Sequence, residues 1–526
     1  MEDLGAIGSP VRHREITMTL YAPTRSPAPR PAPRSALKAP QDAPKAPRRA
    51  LKLLGHAALW SVAIAMPATA VAQVAPAAGA AQAQPVSGSQ PLPKTQPRPQ
   101  PTSLLPGEQA RQASTDLTSA PVVQEIPTDY FVTAPDWQVA QAQQLLNFIK
   151  GIGNEGLFPR DYQPEALQAA IAAGPGPRLN ETATRLFTWV AEDLRDGRTE
   201  MDSRHQWFVE DPDWKLRPIK PLLQEALAGT GSGGGIVAAL DSLNPTHPDY
   251  AVLKQMLLET SEGDKASRAK IRANMDRWRW LGRDLGKNYL LTNVPEYQLR
   301  LVVNNKVHTS FRTIVGKPGR TATPQLAEKV EGVIFNPTWT VPQSIVVGEG
   351  LGARVMGNPS YARSNGYKAY KTEAGMTVVV QQPGPGNSLG LMKLDMPNPH
   401  AIFLHDTPSK SLFNNSERAL SHGCIRTENA MKLAMIMAKG LGGLSSEEAV
   451  EIANSREYTR VPLTKELPVY ITYFTMARDI DGQMRSFDDI YGRDEPVLAS
   501  MAAARVQKTG QHKTDEPIVP IEAPGA

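Results

Sequence analysis

Among 526 residues there is a single cysteine, Cys424, and it lies in the stretch SHGCIR at 421–426. A thiol becomes a strong nucleophile only when something takes its proton. His405 closes the apolar run AIFLH nineteen residues upstream, at what reads as a strand end from which an imidazole reaches the sulfur as general base. Asp406 follows and is suited to orient that ring through its main-chain carbonyl or its carboxylate. A helix predicted from about Thr427 would turn its positive end toward the thiol, and Arg426 adds a full charge, both favouring the thiolate. Gly423 admits a ligand close to the backbone, and the N–H groups of Gly423 and Cys424 are candidate oxyanion donors. Other readings stand beside this one. The cysteine could be an inert buried hydrophobe, His422 a structural hydrogen-bonder holding the loop, and Arg426 a surface cap. His405, His422 and Cys424 could also supply three zinc ligands with an open fourth position, although no second cysteine or Glu-rich helix accompanies them.

The elements that would carry these residues change character along the chain. DWQVAQAQQLLNFIKGIGNEGL predicts a helix from about Asp136, with Val139, Leu145, Leu146 and Ile149 on one face and Gly151 as its stop. LNETATRLFTWVAEDLRDGR predicts a second, with Leu186, Val190 and Leu194 at helical spacing. Two more follow, in PDYAVLKQMLLETSE and RAKIRANMDRWRWLGRDLG, so 128–286 reads as a helical scaffold interrupted by GTGSGGG at 229–235. From Asn288 the period shortens to that of strands, in YLLTNV, QLRLVVNNKVHTSFRTIVG, TVVVQQ and PVYITYFTM, with Asn304–Asn305 where a hairpin turn belongs. The fold class expected is therefore α+β, a helical region followed by a mainly β domain over 287–495. An insertion at about 343–375 carries little strand pattern and, near a pocket, suggests a lid.

The first 127 residues read differently. Segments 1–52 and 73–127 are basic or Pro-rich, with too few large apolar side chains to offset chain ordering, and are expected to be disordered, as is 496–526. Between them, 53–72 has the order basic flank, apolar run, small residues, which marks a secretory signal or an uncleaved inner-membrane anchor and a periplasmic destination. Ten of the 57 Lys and Arg and four of the 52 Asp and Glu lie in 1–52, leaving 47 against 48 beyond it, so the sequence pI of about 9.0 argues for no nucleic-acid partner. One cysteine forms no internal disulfide.

SHGCIR, with FLHDTP nineteen residues before its cysteine, closely resembles the signature of the L,D-transpeptidase catalytic domain of bacterial cell-wall enzymes. The likeness extends through MDRWRWLGRDLGKNYLLTNVPEYQLRLV, VIFNPTWTVPQSI, QQPGPGNSLGLMKL and DDIYGRD, as in the large periplasmic Gram-negative branch. That resemblance implies Cys424 as nucleophile, His405 as base and Asp406 as its orienting neighbour. Ser421, His422, Gly423 and Arg426 then complete the loop, and Trp339 borders the cleft. Phe403 stands where many relatives have tyrosine, and between Leu243 and Arg268 there is no room for the peptidoglycan-binding domain usual in that branch. The resemblance further implies a monomer acting on peptidoglycan stem peptides without metal or organic cofactor. It implies acylation by carbapenems, and leaves open the linkage formed, hydrolysis in place of transfer, and a non-enzymatic wall-binding scaffold.

Overall fold

The computed structural model describes residues 133–508 except 210–211, 230–233 and 374, together with short paired strands at 123–125 and 511–513. The leader, the signal or anchor segment, most of the linker and most of GTGSGGG lie outside the described residues. Among the described residues no helix is long and apolar enough to cross a membrane.

The chain is α+β. The first helix, Val139–Gly151, starts three residues later than Asp136, because the Gln141 side chain accepts the Gln138 N–H and fixes the start there, while the Asp136 carboxylate accepts from Asn180 Nδ2. Leu145, Leu146 and Ile149 are buried as their spacing implies, but Val139, in the first turn, is exposed. Helix Pro177–Asp196 buries Leu186, Val190 and Leu194 against the first helix and against Ile219–Ala228, giving the helical region its own core. Each such side chain contributes about 1.5–3 kcal/mol on burial. A two-residue strand, Trp207–Phe208, leaves this region and pairs in parallel with Gln325–Leu326 of the β domain.

The β domain is a sheet that closes on itself. Tyr289–Asn293, Gln298–Val303 and Lys306–Gly316 form a meander whose second turn, Asn304–Asn305, has positive φ at both residues, the geometry asparagine tolerates in a tight hairpin. From its outer strand the path runs through Ile425–Thr427 and Leu404–His405 to Met392–Asp395. On the other side it runs through Thr459–Thr472 to Gln325–Phe335. Met392–Asp395 pairs with Gln325–Phe335 as well, joining the two ends. Helix Ala430–Gly440 covers one face with Leu433, Ala434 and Met437.

Two expectations need correction. The insertion is not a bare loop. Turns and helices at Ser344–Gly348, Leu351–Gly357 and Pro359–Ser364 pack on a three-stranded sheet of Trp339–Thr340, Thr377–Gln381 and Tyr367–Lys371 around a small core of its own. Residues 496–508 are ordered too. Helix Asp494–Ala502 leads into Arg505 and Lys508, which return to the helical region and ion-pair with Glu192 and Asp193.

Candidate active site

The loop 421–424 joins strand Ala419–Ser421 to strand Ile425–Thr427. Helix Ala430–Gly440 begins only after Asn429, so Cys424 precedes a strand rather than a helix and sees no helix N-terminus. The reason is local. Arg426 and Thr427 pair with Ile314 and Thr313, and Asn429 takes a left-handed conformation that delays the helix.

Strand pairing brings the chemistry together. Leu404 and His405 lie opposite Ile425 and Arg426, and Ile425 donates its N–H to Phe403 O (2.9 Å), so Phe403 sits beside Cys424. Lys393 of the next strand lies opposite His405. By the alternation of side chains along strands, Cys424, Arg426, Phe403, His405 and Lys393 share one face. Lys393 Nζ stands 3.9 Å from the centre of the Phe403 ring, a cation–π contact. Reading along the sequence did not single out Lys393, which is set against His405 only by the pairing of strands Met392–Asp395 and Leu404–His405.

The sulfur is held as a protonated thiol. It donates to Ala401 O at 3.5 Å, from a residue strained into positive φ, and the Phe403 N–H faces it. Cys424 is partly exposed, yet enough protein surrounds the sulfur for burial to push its ionisation above the ordinary thiol range. The Phe403 N–H, Lys393 and Arg426 oppose that shift without overcoming it. His405 is buried, and burial followed by the nearby Arg426 charge lowers its pKa to about 4. The resting pair is thus neutral thiol and neutral imidazole, not the preformed thiolate expected from a helix end. A neutral imidazole is the form that accepts a proton. His405 Nδ1 hydrogen-bonds to the main-chain carbonyl of Asp406, which leaves Nε2 for the reaction. The Asp406 carboxylate plays a different part. It accepts the Leu391 N–H (3.0 Å) and pairs with Lys410, and a Cβ at Gly390, where φ is +65°, would overlap it.

The remaining predicted residues are placed differently from one another. Ser421 is buried and staples the loop, donating to Cys424 O (2.6 Å) and accepting the Gly423 N–H (3.2 Å). That bond occupies the Gly423 amide, expected to face an oxyanion; Gly423 itself has φ +120°, a conformation that favours glycine. His422 is half-buried and its Nδ1 is enclosed without a hydrogen-bond partner among the described residues. Burial, then Lys317 and Arg426, lower its pKa to about 4. Arg426 is 5 % exposed, and its guanidinium has no carboxylate partner among the described residues. Trp339 lies in the core of the insertion, with Val341, Ile345 and Leu389. Among the described residues, no three His, Cys, Asp or Glu side chains are gathered for a metal ion.

Comparison with known proteins places similarity over two stretches of the chain. Residues 287–451 match the L,D-transpeptidase catalytic domain and residues 133–257 match the Scaffold domain. A curated relative from Haemophilus influenzae, named "Putative L,D-transpeptidase", is 30% identical over 225 residues, covering 40% of this chain; the chain spans 45% of that relative's length. Two solved structures are also similar in part. The Ldtfm–avibactam carbamoyl enzyme has 15% identity and a TM-score of 0.19, with 36% of this chain and 49% of that one covered. An L,D-transpeptidase from Mycobacterium smegmatis has 13% identity and a TM-score of 0.18, with 35% and 58% covered. Residues 287–451, the part that holds Cys424 and His405, thus match the L,D-transpeptidase catalytic domain.

Proposed function

We propose that this protein is a peptidoglycan L,D-transpeptidase working outside the cytoplasmic membrane, with Cys424 as its nucleophile. The Cys424 sulfur bonds to the carbonyl carbon of an L-residue, typically the third, in a donor stem peptide, while His405 takes the thiol proton. Collapse of the tetrahedral adduct breaks the C–N bond to the terminal D-alanine, and His405 returns the proton to the leaving nitrogen. The resulting thioester is then attacked by the amine of a second stem, which restores the thiol and gives a 3-3 cross-link; a first-residue donor, with the remainder of its stem leaving in place of D-alanine, would give a 1-3 link. Thioesters yield readily to amines, a physical reason for sulfur in this role. Arg426, buried beside the thiol with no anionic partner among the described residues, is suited to the carboxylate of the donor, and the folded insertion to covering the cleft against water. The observation that carries the reading is the shared strand face of Cys424, His405 and Arg426.

The test is incubation of the protein with tetrapeptide muropeptides and mass spectrometry of the products. Dimers and released D-alanine are expected from the parent chain and neither from Cys424→Ala. Dimers at the parental yield from that variant would end the proposal, and tripeptide without dimers would make the enzyme an L,D-carboxypeptidase.

A further inference from the structure

The segment DDIYGRD at 488–494 has no place in the chemistry above, yet it is wired to the loop that holds the thiol. The Tyr491 hydroxyl donates to Gly316 O (2.6 Å) and accepts the Thr323 N–H (3.2 Å). The Thr323 hydroxyl accepts the Gly316 N–H (2.9 Å) and donates to Gly423 O (2.7 Å). Arg493 donates to Thr323 O (3.3 Å) and lies over the rings of Tyr473 and Tyr491, 4.9 Å from each centre. Thr323 and Gly316 leave no slack in this arrangement. Thr323 is fully buried, and a Cβ at Gly316 would come within 2.8 Å of Thr323 N.

We propose that Thr323, fixed by Tyr491 and Arg493, is a positioning residue that aims the Cys424 N–H at the carbonyl oxygen of the bound donor. Gly423 O and the Cys424 N–H are opposite edges of one planar trans peptide, so holding the first sets the direction of the second. The peptide needs holding, because Gly423 at φ +120° sits where backbone sterics restrain a glycine little. The Gly423 N–H is already taken by Ser421, whereas the Cys424 N–H makes no hydrogen bond among the described residues. A donor fixed in advance stabilises a developing oxyanion without reorganising as the charge forms. In this arrangement Tyr491 and Arg493 act through Thr323, and none of the three touches the substrate.

This inference rests on the acyl-transfer reading, and two reactions of the same sulfur separate them. Alkylation by iodoacetamide needs the thiolate but no oxyanion donor; acylation by meropenem needs both. For full-length Thr323→Val, acylation of Cys424 followed by intact mass is expected to slow roughly 10- to 100-fold, with alkylation and its pH profile within about two-fold of the parent. Thr323→Ser, which keeps the hydroxyl, is expected to restore most of the acylation rate. Tyr491→Phe, which frees the threonine without removing it, should show part of the loss and decides the matter if Thr323→Val does not fold. Parental acylation in the folded Thr323→Val and Tyr491→Phe variants would overturn the inference alone. So would an equal fall in alkylation and acylation, or failure of Thr323→Ser to restore the rate. A parent chain that is alkylated at Cys424 but never acylated would overturn the acyl-transfer reading and this inference with it.

Discussion

Two buried polar clusters in this molecule are built on opposite rules. In the helical region, Asp193 is fully buried and accepts from Tyr162 (2.9 Å), Arg505 (2.9 Å) and Lys508 (3.0 Å), while Glu192 takes another nitrogen of Arg505 at 2.6 Å. Burial alone would raise the Asp193 pKa; Arg505 and Lys508 overcome it and hold the carboxyl far below its ordinary range. Around Cys424 the balance runs the other way. The thiol and both histidines are kept neutral, and Arg426 is left beside them without a carboxylate among the described residues. A cluster that satisfies its own charges serves stability, whereas one that leaves a buried cation unanswered is poised for an anion from outside.

The largest expected effect separates the two clusters directly. Arg505→Met takes from half-buried Glu192 its cation and leaves buried Asp193 with only Lys508 and Tyr162 at hydrogen-bond distance, and should cost about 3–5 kcal/mol, read as a lowered denaturation midpoint, with acylation of the folded fraction unchanged. Next comes pH. His405 and His247 have a pKa of about 4 in the fold against 6.5 as free groups, so below pH 6.5 the unfolded chain binds protons that the native chain refuses. Stability should therefore be lost as pH falls from about 6.5 to about 4 and change little from these groups above that window, by up to about 3 kcal/mol per histidine in denaturant titrations. Arg426→Met should move stability and activity in opposite directions. Relief of a desolvated charge should gain about 1 kcal/mol, while meropenem acylation slows roughly 10- to 100-fold; a loss of stability like that of Arg505→Met would erase the distinction. The smallest effect belongs to Lys410→Ala. Its side chain is 55% exposed and Asp406 keeps the Leu391 N–H, so the change should stay below about 1 kcal/mol in the same titrations.

Much of the site was legible because it is local. Cys424, the residues flanking it and His405 nineteen positions upstream carry their chemistry in residue type and spacing, and Asn304–Asn305 names its own turn. The same locality misled at Thr427. The apolar spacing of the following helix was visible, but the pairing of Arg426 and Thr427 with the distant Ile314 and Thr313, which keeps those residues in a strand, was not. Lys393, Thr323 and Tyr491 were not legible as participants for a similar reason. Each lies dozens of residues from the cysteine, and only strand pairing or long-range hydrogen bonding brings it near. The insertion was misread because its strands are short and its core of eight buried side chains is gathered half from the first part of the segment and half from the chain on either side of it.

The return of Arg505 and Lys508 to the helical region also orders the events of assembly. During synthesis the helix bearing Glu192 and Asp193 emerges some three hundred residues before the side chains that neutralise it. Until Arg505 and Lys508 emerge, those carboxylates lack their two nearest cations and must keep company with water, so a helix made early is sealed late.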